Sequence, residues 1–234
     1  MKATNIISSL KSLSDRERAV HSQRYFKTGK GEYGEGDKFL GIRVPALRKI
    51  VNQYRLTPLT EIKKCLRSEY HEVRLFALFL LVQQFAGADE VKQEKIFKLY
   101  LANTKYINNW DLIDSSAPNI VGAWLFNKDR TVLAKLAQSP MLWERRIAIM
   151  ATAFFIKNNQ FRDTLDLSRL LLNDKEDLVH KAVGWMLREV GNRNRETEEK
   201  FLSTHYKKMP RTMLRYAIEK FSQQRRKEYL LGKV

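Results

Sequence analysis

The sequence has only one cysteine, Cys65, which occupies a helical-looking apolar position within 62–66. Without a second cysteine, a disulfide framework and a thiolate metal site are both excluded, and this favours a reducing, intracellular setting. No apolar run is long enough to span a bilayer, and the apolar residues near the N-terminus recur at helical spacing instead of forming the continuous stretch of a signal peptide. We therefore expect a cytoplasmic protein with no membrane partner.

Catalytic motifs are also scarce. None of the histidines shows the paired spacing of a metal site, and Walker, serine-elbow and kinase signatures are absent. We therefore predict no metal and no small-molecule cofactor. We interpret His21, His71, His180 and His205 as structural or solvent-facing residues.

Glycine is concentrated in one stretch, Gly29 to Asp37. The spacing from Gly31 to Gly36 is similar to that of a phosphate-binding loop, but Asp37 stands where the essential lysine should be and no strand precedes the stretch. The acids of this segment would also repel phosphate. We interpret 29–37 as an ordered surface loop.

Strand-like alternation is absent, and from residue 45 onward apolar residues recur every three or four positions, as in amphipathic helices. Two short helices are predicted within 3–28. Further helices are predicted near 45–54, 58–67, 70–85, 90–101, 107–126 with a break, 130–137, 142–158, 163–172, 176–190, 195–207, 211–221 and 224–231. The predicted fold class is all-α.

A weak internal repeat runs through these helices. The positions Arg74, Asp114, Arg146, Lys181 and Leu214 follow one another at intervals of 40, 32, 35 and 33 residues. A packing residue lies three positions after each of them: Ala77, Ala117, Ile149, Gly184 and Ala217. Such intervals are typical of HEAT-like helix pairs. We predict one domain, 1–234, in which HEAT-like antiparallel helix pairs stack into a superhelical solenoid with a concave basic groove.

The net charge of +17 is far above what solubility requires and indicates a polyanionic partner. Because the basic residues are spread along many segments, nucleic acid is favoured over a membrane surface. Near the C-terminus, Arg211 and Arg215 are four residues apart and share a helical face, so we predict that both contact phosphates.

The segment 106–118 brings two carboxylates and an indole together in an otherwise basic chain. If it is helical, Trp110 and Asp114 share a face, whereas Leu112 and Ile113 point toward a core. In the repeat alignment, the Asp114 position carries Arg or Lys in neighbouring repeats. We therefore select Trp110 and Asp114 as candidate site residues.

Pro118 cannot continue a regular helix, so a kink or a helix start is expected there. The alternative for this segment is that Asp114 or Ser116 only caps the next helix.

Of the other tryptophans, Trp185 shares a predicted helical face with Lys181 and Arg188. An indole flanked by cations is unusual in a core, so these three residues are predicted to lie in the groove. Trp124 and Trp143 are interpreted as core residues.

The segments 110–118 (WDLIDSSAP), 143–148 (WERRIA) and 183–189 (VGWMLRE) together resemble the AlkD family of DNA alkylation-repair glycosylases. The likeness covers most of the chain and includes its length, its helical repeats, its charge and the order of the three segments. The loop 29–37 is a departure, because it is longer than expected for that family.

This resemblance implies excision of positively charged N3- and N7-alkylpurines from duplex DNA, with Asp114 as the catalytic carboxylate and Trp110 and Trp185 as paired indoles. Arg146 matches an arginine that contacts the DNA backbone, and Tyr25 matches an N-terminal aromatic residue that helps to clamp the DNA. We expect a monomer that is associated with the nucleoid when bound to DNA.

Two other functions are compatible with the sequence. One is a non-catalytic helical-repeat module that binds damaged or branched DNA. The other is a HEAT scaffold whose groove binds an acidic peptide. The presence of Trp110, Asp114, Arg146 and Trp185 together favours the enzyme.

Overall fold

The computed structural model describes residues 1–234 and is all-α, with only an isolated bridge between Lys38 and Tyr70 outside the helices and loops. Its α-helices are α1 (Ala3–Lys11), α2 (Arg16–Tyr25), α3 (Val44–Val51), α4 (Leu59–Leu66), α5 (His71–Ala86), α6 (Glu90–Leu101), α7 (Trp110–Asp114), α8 (Ala123–Leu125), α9 (Thr131–Ala137), α10 (Leu142–Lys157), α11 (Arg162–Leu170), α12 (Asp177–Arg193), α13 (Arg195–His205), α14 (Arg211–Ala217) and α15 (Gln223–Leu231). The 3₁₀ turns are Asn52–Tyr54, Thr104–Tyr106 and Ile218–Lys220, and Pro118–Gly122 is a π-helix. The predicted all-α helical-repeat fold is confirmed. No helix has both the length and the apolar character needed to cross a membrane.

Several helices begin at side-chain caps that the sequence provides. The carboxylate of Asp15 accepts a hydrogen bond from the Arg18 amide at 3.0 Å, and that of Asp89 accepts one from the Lys92 amide at 2.8 Å. Asn194 caps α13 in the same way. Each cap satisfies an amide that the first turn of the helix leaves without a partner.

The chain divides into two compact units, Met1–Val121 and Gly122–Val234, and their boundary falls within the π-helix. In the first unit, α5 packs against α3, α4, α6 and α7. Twelve of its 16 residues are buried, and these include the polar residues His71, Glu72, Arg74 and Gln84. The organisation of 1–234 as a single domain stays a prediction.

In the second unit, α10 packs against α9, α11 and α12, and α12 packs against α13 and α14. Gly184 allows α12 to pack closely on α14. A Cβ atom on Gly184 would lie 2.4 Å from the carbonyl oxygen of Met213 and 2.5 Å from Cβ of Tyr216. The backbone of α12 can therefore approach α14 only because residue 184 has no side chain.

The register of the internal repeat is consistent with this packing. The residues at the five packing positions are all buried: Ala77, Ala117, Ile149, Gly184 and Ala217. At the positions three residues earlier, however, Arg74 and Arg146 are only 4% and 5% exposed. These two arginines are not surface cations, and the basic character of a groove stays a prediction.

Candidate functional site

The stretch selected from the sequence forms α7, a helix of only five residues. The side chain of Asn109 accepts a hydrogen bond from the Trp110 amide at 2.9 Å, and this bond marks the start of the helix. Leu112 and Ile113 are fully buried, whereas Trp110 and Asp114 are half-buried. The predicted division between a core face and a face that carries the indole and the carboxylate is confirmed.

The predicted break at Pro118 is also confirmed, because α7 ends at Asp114 and a π-helix begins at Pro118. The Ser116 hydroxyl donates to the carbonyl of Leu112 at 2.5 Å and lies 3.0 Å from the hydroxyl of Tyr100. It therefore binds to the preceding turn and does not act as a cap of the next one. Burial raises the pKa of Tyr100 above its usual range, and the negative charge of Asp114 contributes to the rise. The Asp114 carboxylate thus lies close to a buried phenol.

Trp110 is part of a row of rings that we call the aromatic shelf, formed by Tyr25, Phe26, Phe39, His71 and Trp110. The Phe26 ring stacks on Trp110 with centroids 5.3 Å apart and on Phe39 at 5.0 Å. The Phe39 ring stacks in turn on the imidazole of His71 at 4.5 Å. Tyr25 contacts Trp110 edge-on at 6.0 Å and is 60% exposed. Two site residues that were selected separately, Tyr25 and Trp110, are therefore neighbours.

His71 of the aromatic shelf also belongs to an ionic network with Asp37, Arg74 and Asp111, in which Asp111 is half-buried and the other three residues are buried. Nδ1 of His71 is 3.0 Å from Oδ2 of Asp37, and Nε2 is 2.8 Å from Oδ2 of Asp111. Nη2 of Arg74 donates to both carboxylate oxygens of Asp37 at 2.8 Å and to Oδ1 of Asn108 at 3.1 Å. Two cations and two carboxylates therefore balance each other, as buried charges must.

The pKa values of this network follow from its geometry. Burial alone would lower the pKa of His71, but Asp111 and Asp37 outweigh that effect and raise it to about 9. Burial likewise opposes ionisation of Asp37, yet His71 and Arg74 hold the pKa of its carboxyl below the ordinary value. At neutral pH the imidazole is therefore an imidazolium with a carboxylate on each side.

The loop 29–37 is ordered and largely exposed, as predicted, but two of its details were not foreseen. Two of its glutamates bind the backbone of the loop itself. Glu32 accepts a hydrogen bond from the Gly29 amide at 2.8 Å, and Glu35 accepts one from the Gly31 amide at 2.9 Å. Its last residue, Asp37, is only 8% exposed and anchors the ionic network. This role of Asp37 could not be predicted from the sequence, because no local spacing links it to His71 and Arg74, which lie 34 and 37 positions later.

In the second unit, the Trp185 indole is half-buried, whereas Val183, Met186 and Leu187 are buried. Its Nε1 donates to Oε1 of Glu189 at 3.0 Å. The indole therefore lies outside the apolar core, as expected from its cationic neighbours.

The two cations that flank Trp185 in the sequence both have carboxylate partners. Nζ of Lys181 is 2.8 Å from Asp177, and Arg188 forms an ion pair with Glu219. The charge around the indole is consequently more balanced than the sequence indicated.

The arginines selected for DNA contacts have different environments. Arg146 is buried, and its guanidinium donates to the carbonyl of Leu178. Arg211 and Arg215 are exposed on α14, and Arg211 donates to the carbonyl of Leu230 at 2.8 Å. Only Arg211 and Arg215 of these three are surface residues.

The two tryptophans interpreted as core residues also differ. Trp143 is buried, at 8% exposure, so its interpretation is confirmed. Trp124 is half-buried, and Nζ of Lys128 lies 4.4 Å from its ring centroid, so its interpretation as a core residue is wrong. Lys128 lies beyond the end of α8, and its ammonium group contacts the face of the indole.

Comparison with known proteins gives consistent results. Residues 6–221 match the model of a family described as DNA alkylation repair enzyme. The chain is similar to the solved structure of a protein described as a predicted DNA alkylation repair enzyme from Enterococcus faecalis, with 17% identity and a TM-score of 0.72 over 90% of this chain and 97% of that one. At this identity the likeness shows the fold. A search of curated proteins gave no match.

Proposed function

The chain belongs to the family of DNA alkylation repair enzymes, and on that basis we propose that it is a DNA N-glycosylase that excises positively charged N3- and N7-alkylated purines from duplex DNA. The observation that carries the proposal is the pairing of Trp110 and Asp114 on α7. An indole and a carboxylate are half-buried one helical turn apart, while the residues between them on the other face fill the core. Both are polarisable or charged groups suited to a cationic transition state.

The chemistry of the lesion matches this small set of groups. Alkylation at N3 or N7 makes the purine cationic, so it leaves as a neutral base when the bond from C1′ to the base nitrogen breaks. No strong general acid is then required. Positive charge develops on the deoxyribose as an oxocarbenium ion, and the ionised Asp114 carboxylate stabilises that charge. Water adds to C1′ and loses a proton, which gives an abasic site and the free base.

The Trp110 indole has a second part in this scheme. Its ring contacts the stacked Phe26 and the edge of Tyr25, and these contacts favour one orientation of the indole. An indole face attracts a nearby cation by about 1–2 kcal/mol in a desolvated site. We propose that Trp110 holds the sugar in this way, and the family resemblance assigns the same role to Trp185.

Contacts to the DNA backbone are proposed for exposed cations. Arg211 and Arg215 lie on one face of α14 and both are accessible. Arginine at such a position binds phosphate without reading sequence. The exposed ring of Tyr25 and the cations Lys181, Arg188 and Arg146 are further candidates from the family resemblance, and each can be tested by single substitution.

The test is incubation with a duplex that carries N7-methylguanine, with detection of the free base by chromatography and mass spectrometry. We expect release well above the spontaneous rate measured without protein. If the protein binds the duplex but release stays at the spontaneous rate, it is a non-catalytic module that binds damaged or branched DNA. If it binds no DNA and instead binds an acidic peptide, it is a protein-binding scaffold.

A further inference from the structure

Helix α7 is too short to hold its own geometry. A helix of five residues is far below the length at which isolated helices form, so contacts from outside must fix it. Asp111, the residue after Trp110, makes one such contact and one bond within the helix. Its Oδ1 accepts from the Leu112 amide at 2.9 Å, and its Oδ2 is 2.8 Å from Nε2 of His71. One carboxylate therefore joins the first turn of α7 to the imidazole of α5.

The other side of that imidazole leads to the loop 29–37. Asp37 is hydrogen-bonded to His71 and Arg74 of α5. The loop is also bonded to the residues that follow α2, because the Gly34 amide donates to the Lys27 carbonyl at 3.0 Å. Phe26, which immediately precedes Lys27, stacks on the Trp110 indole. His71 thus reaches α7 by two routes, through Asp111 and through the stacked rings of Phe39 and Phe26.

Both hydrogen bonds of His71 require the charged ring. An imidazolium donates from both nitrogens, whereas a neutral imidazole donates from only one and accepts at the other. The partners on the two sides are carboxylates, and a carboxylate can only accept. Deprotonation therefore leaves one carboxylate facing a lone pair. The charged groups that face His71 are Asp37 from the loop and Asp111 from α7, with Arg74 behind Asp37.

We propose that His71, Asp37 and Asp111 are positioning residues for the excision reaction, because the doubly bonded imidazolium fixes the first turn of α7 and thereby the Trp110 indole and the Asp114 carboxylate. The proposal rests on the proposed function for its activity readout. Its physical content is separate, namely that protonation of His71 sets the placement of Trp110.

The activity test is single-turnover excision of N7-methylguanine from about pH 6 to about pH 10, with spontaneous loss subtracted at each pH. Wild-type excision should fall as the pH rises through about 9, where the pKa of His71 lies. In Asp111→Asn the fall should move to lower pH, because one of the carboxylates that hold the proton has lost its charge. In His71→Gln the rate should drop by about 10-fold or more, and the inflection should disappear. A residue with a merely structural role would change the rate without moving the inflection.

A matched control is His205→Gln on α13 of the second unit, where the imidazole lies against the ring of Phe201 with centroids 4.6 Å apart. Its profile should superimpose on that of the wild type. The melting temperature of every variant is measured at each pH, so that the assays are run below the unfolding transition.

A second readout does not depend on catalysis. The near-ultraviolet circular dichroism that Trp110 contributes is obtained by subtracting the spectrum of Trp110→Phe, because the chain has four tryptophans. This signal should change through about pH 9 in the wild type and should be flat in His71→Gln. If the wild type excises nothing but shows this transition, the proposed reaction is wrong and the positioning of Trp110 stands. If the wild type excises base and neither readout has an inflection that Asp111→Asn shifts, the positioning proposal is overturned and the proposed reaction stands.

Discussion

Asp111 and Asp114 are three residues apart on α7 and meet different chemistry. The carboxylate of Asp111 binds the His71 imidazolium, which neutralises it within the fold. Asp114 lies close to the buried phenol of Tyr100, and its negative charge contributes to the raised pKa of that residue. We therefore assign the positioning role to Asp111 and propose the reacting role for Asp114.

Alanine substitution should affect Trp143 and Trp185 differently. Trp143 is buried, so Trp143→Ala should destabilise the fold by about 3–5 kcal/mol. Trp185 is half-buried, so Trp185→Ala should melt near the wild-type midpoint and lose most of its excision activity. Calorimetry and the excision assay on both variants check this. A Trp185→Ala protein that unfolds, or one that melts normally and excises at the wild-type rate, would contradict the assignment.

Glu198 gives a prediction about pH. The residue is 1% exposed, and its Oε1 lacks a hydrogen-bond partner. Burial raises its pKa from an ordinary value of 4.5 to about 8, against the opposing effect of Arg195. The folded state thus keeps a proton that the unfolded chain loses, so its contribution to stability is full below pH 4.5 and is lost as the pH rises through about 8.

Glu198→Gln should remove the loss of stability that occurs as the pH rises. We expect its melting temperature to change less than that of the wild type between pH 5 and pH 9, and to be the higher of the two at the alkaline end. The exposed neighbour Glu196→Gln is the control and should keep the wild-type slope. Parallel slopes for Glu198→Gln and the wild type would contradict the account of Glu198.

At the scale of helices, close packing of α12 on α14 depends on one missing side chain. Gly184→Ala places a Cβ atom 2.4 Å from the Met213 carbonyl oxygen, so the helices must separate and stability should fall by about 1–3 kcal/mol. The control is Gly87→Ala, where a Cβ atom would meet nothing within 4 Å, and its unfolding midpoint should be nearly unchanged. Equal midpoints for the two variants in urea would contradict this packing argument.

The helices themselves could be predicted because their information is local. Apolar periodicity places their ends within a few residues, and Pro118 marks the break after α7. The division of α7 into two faces followed from the same periodicity.

The ionic network could not be predicted in this way. Its bonds join Asp37, His71 and Asp111 across 34 and 40 residues, and only tertiary packing brings them together. The burial of Arg74 and the surface position of Trp124 were missed for the same reason.

For the whole molecule, the net charge of +17 is the excess of 43 lysines and arginines over 26 acids. Part of the positive charge is neutralised inside the protein, for example where Arg145 binds Asp174 and Arg130 binds Asp163. The excess therefore belongs to cations without such partners elsewhere in the chain, and it predicts binding that is governed by phosphates.

Affinity for undamaged duplex DNA should accordingly fall steeply with salt, with a linear dependence of log K on log salt concentration. Arg211→Ala and Arg215→Ala should each reduce the slope by about the amount expected for one phosphate contact. Each should also weaken binding to all DNA sequences alike. Fluorescence anisotropy titrations at several salt concentrations measure both quantities. A slope near zero, or a loss confined to one DNA sequence, would contradict electrostatic backbone binding.

In the proposed reaction the charge of Asp114 stabilises the sugar cation, and Asp114→Asn isolates that effect because asparagine keeps the shape and removes the charge. The measurement is single-turnover release of N7-methylguanine from a duplex, beside the melting temperature and the affinity for undamaged DNA. The exposed Asp129→Asn is the matched control and should excise normally. We predict that Asp114→Asn melts near the wild-type midpoint, binds undamaged DNA as well or better, and releases base about 10²-fold more slowly. Release at the wild-type rate by Asp114→Asn would show that this carboxylate does not take part in the reaction.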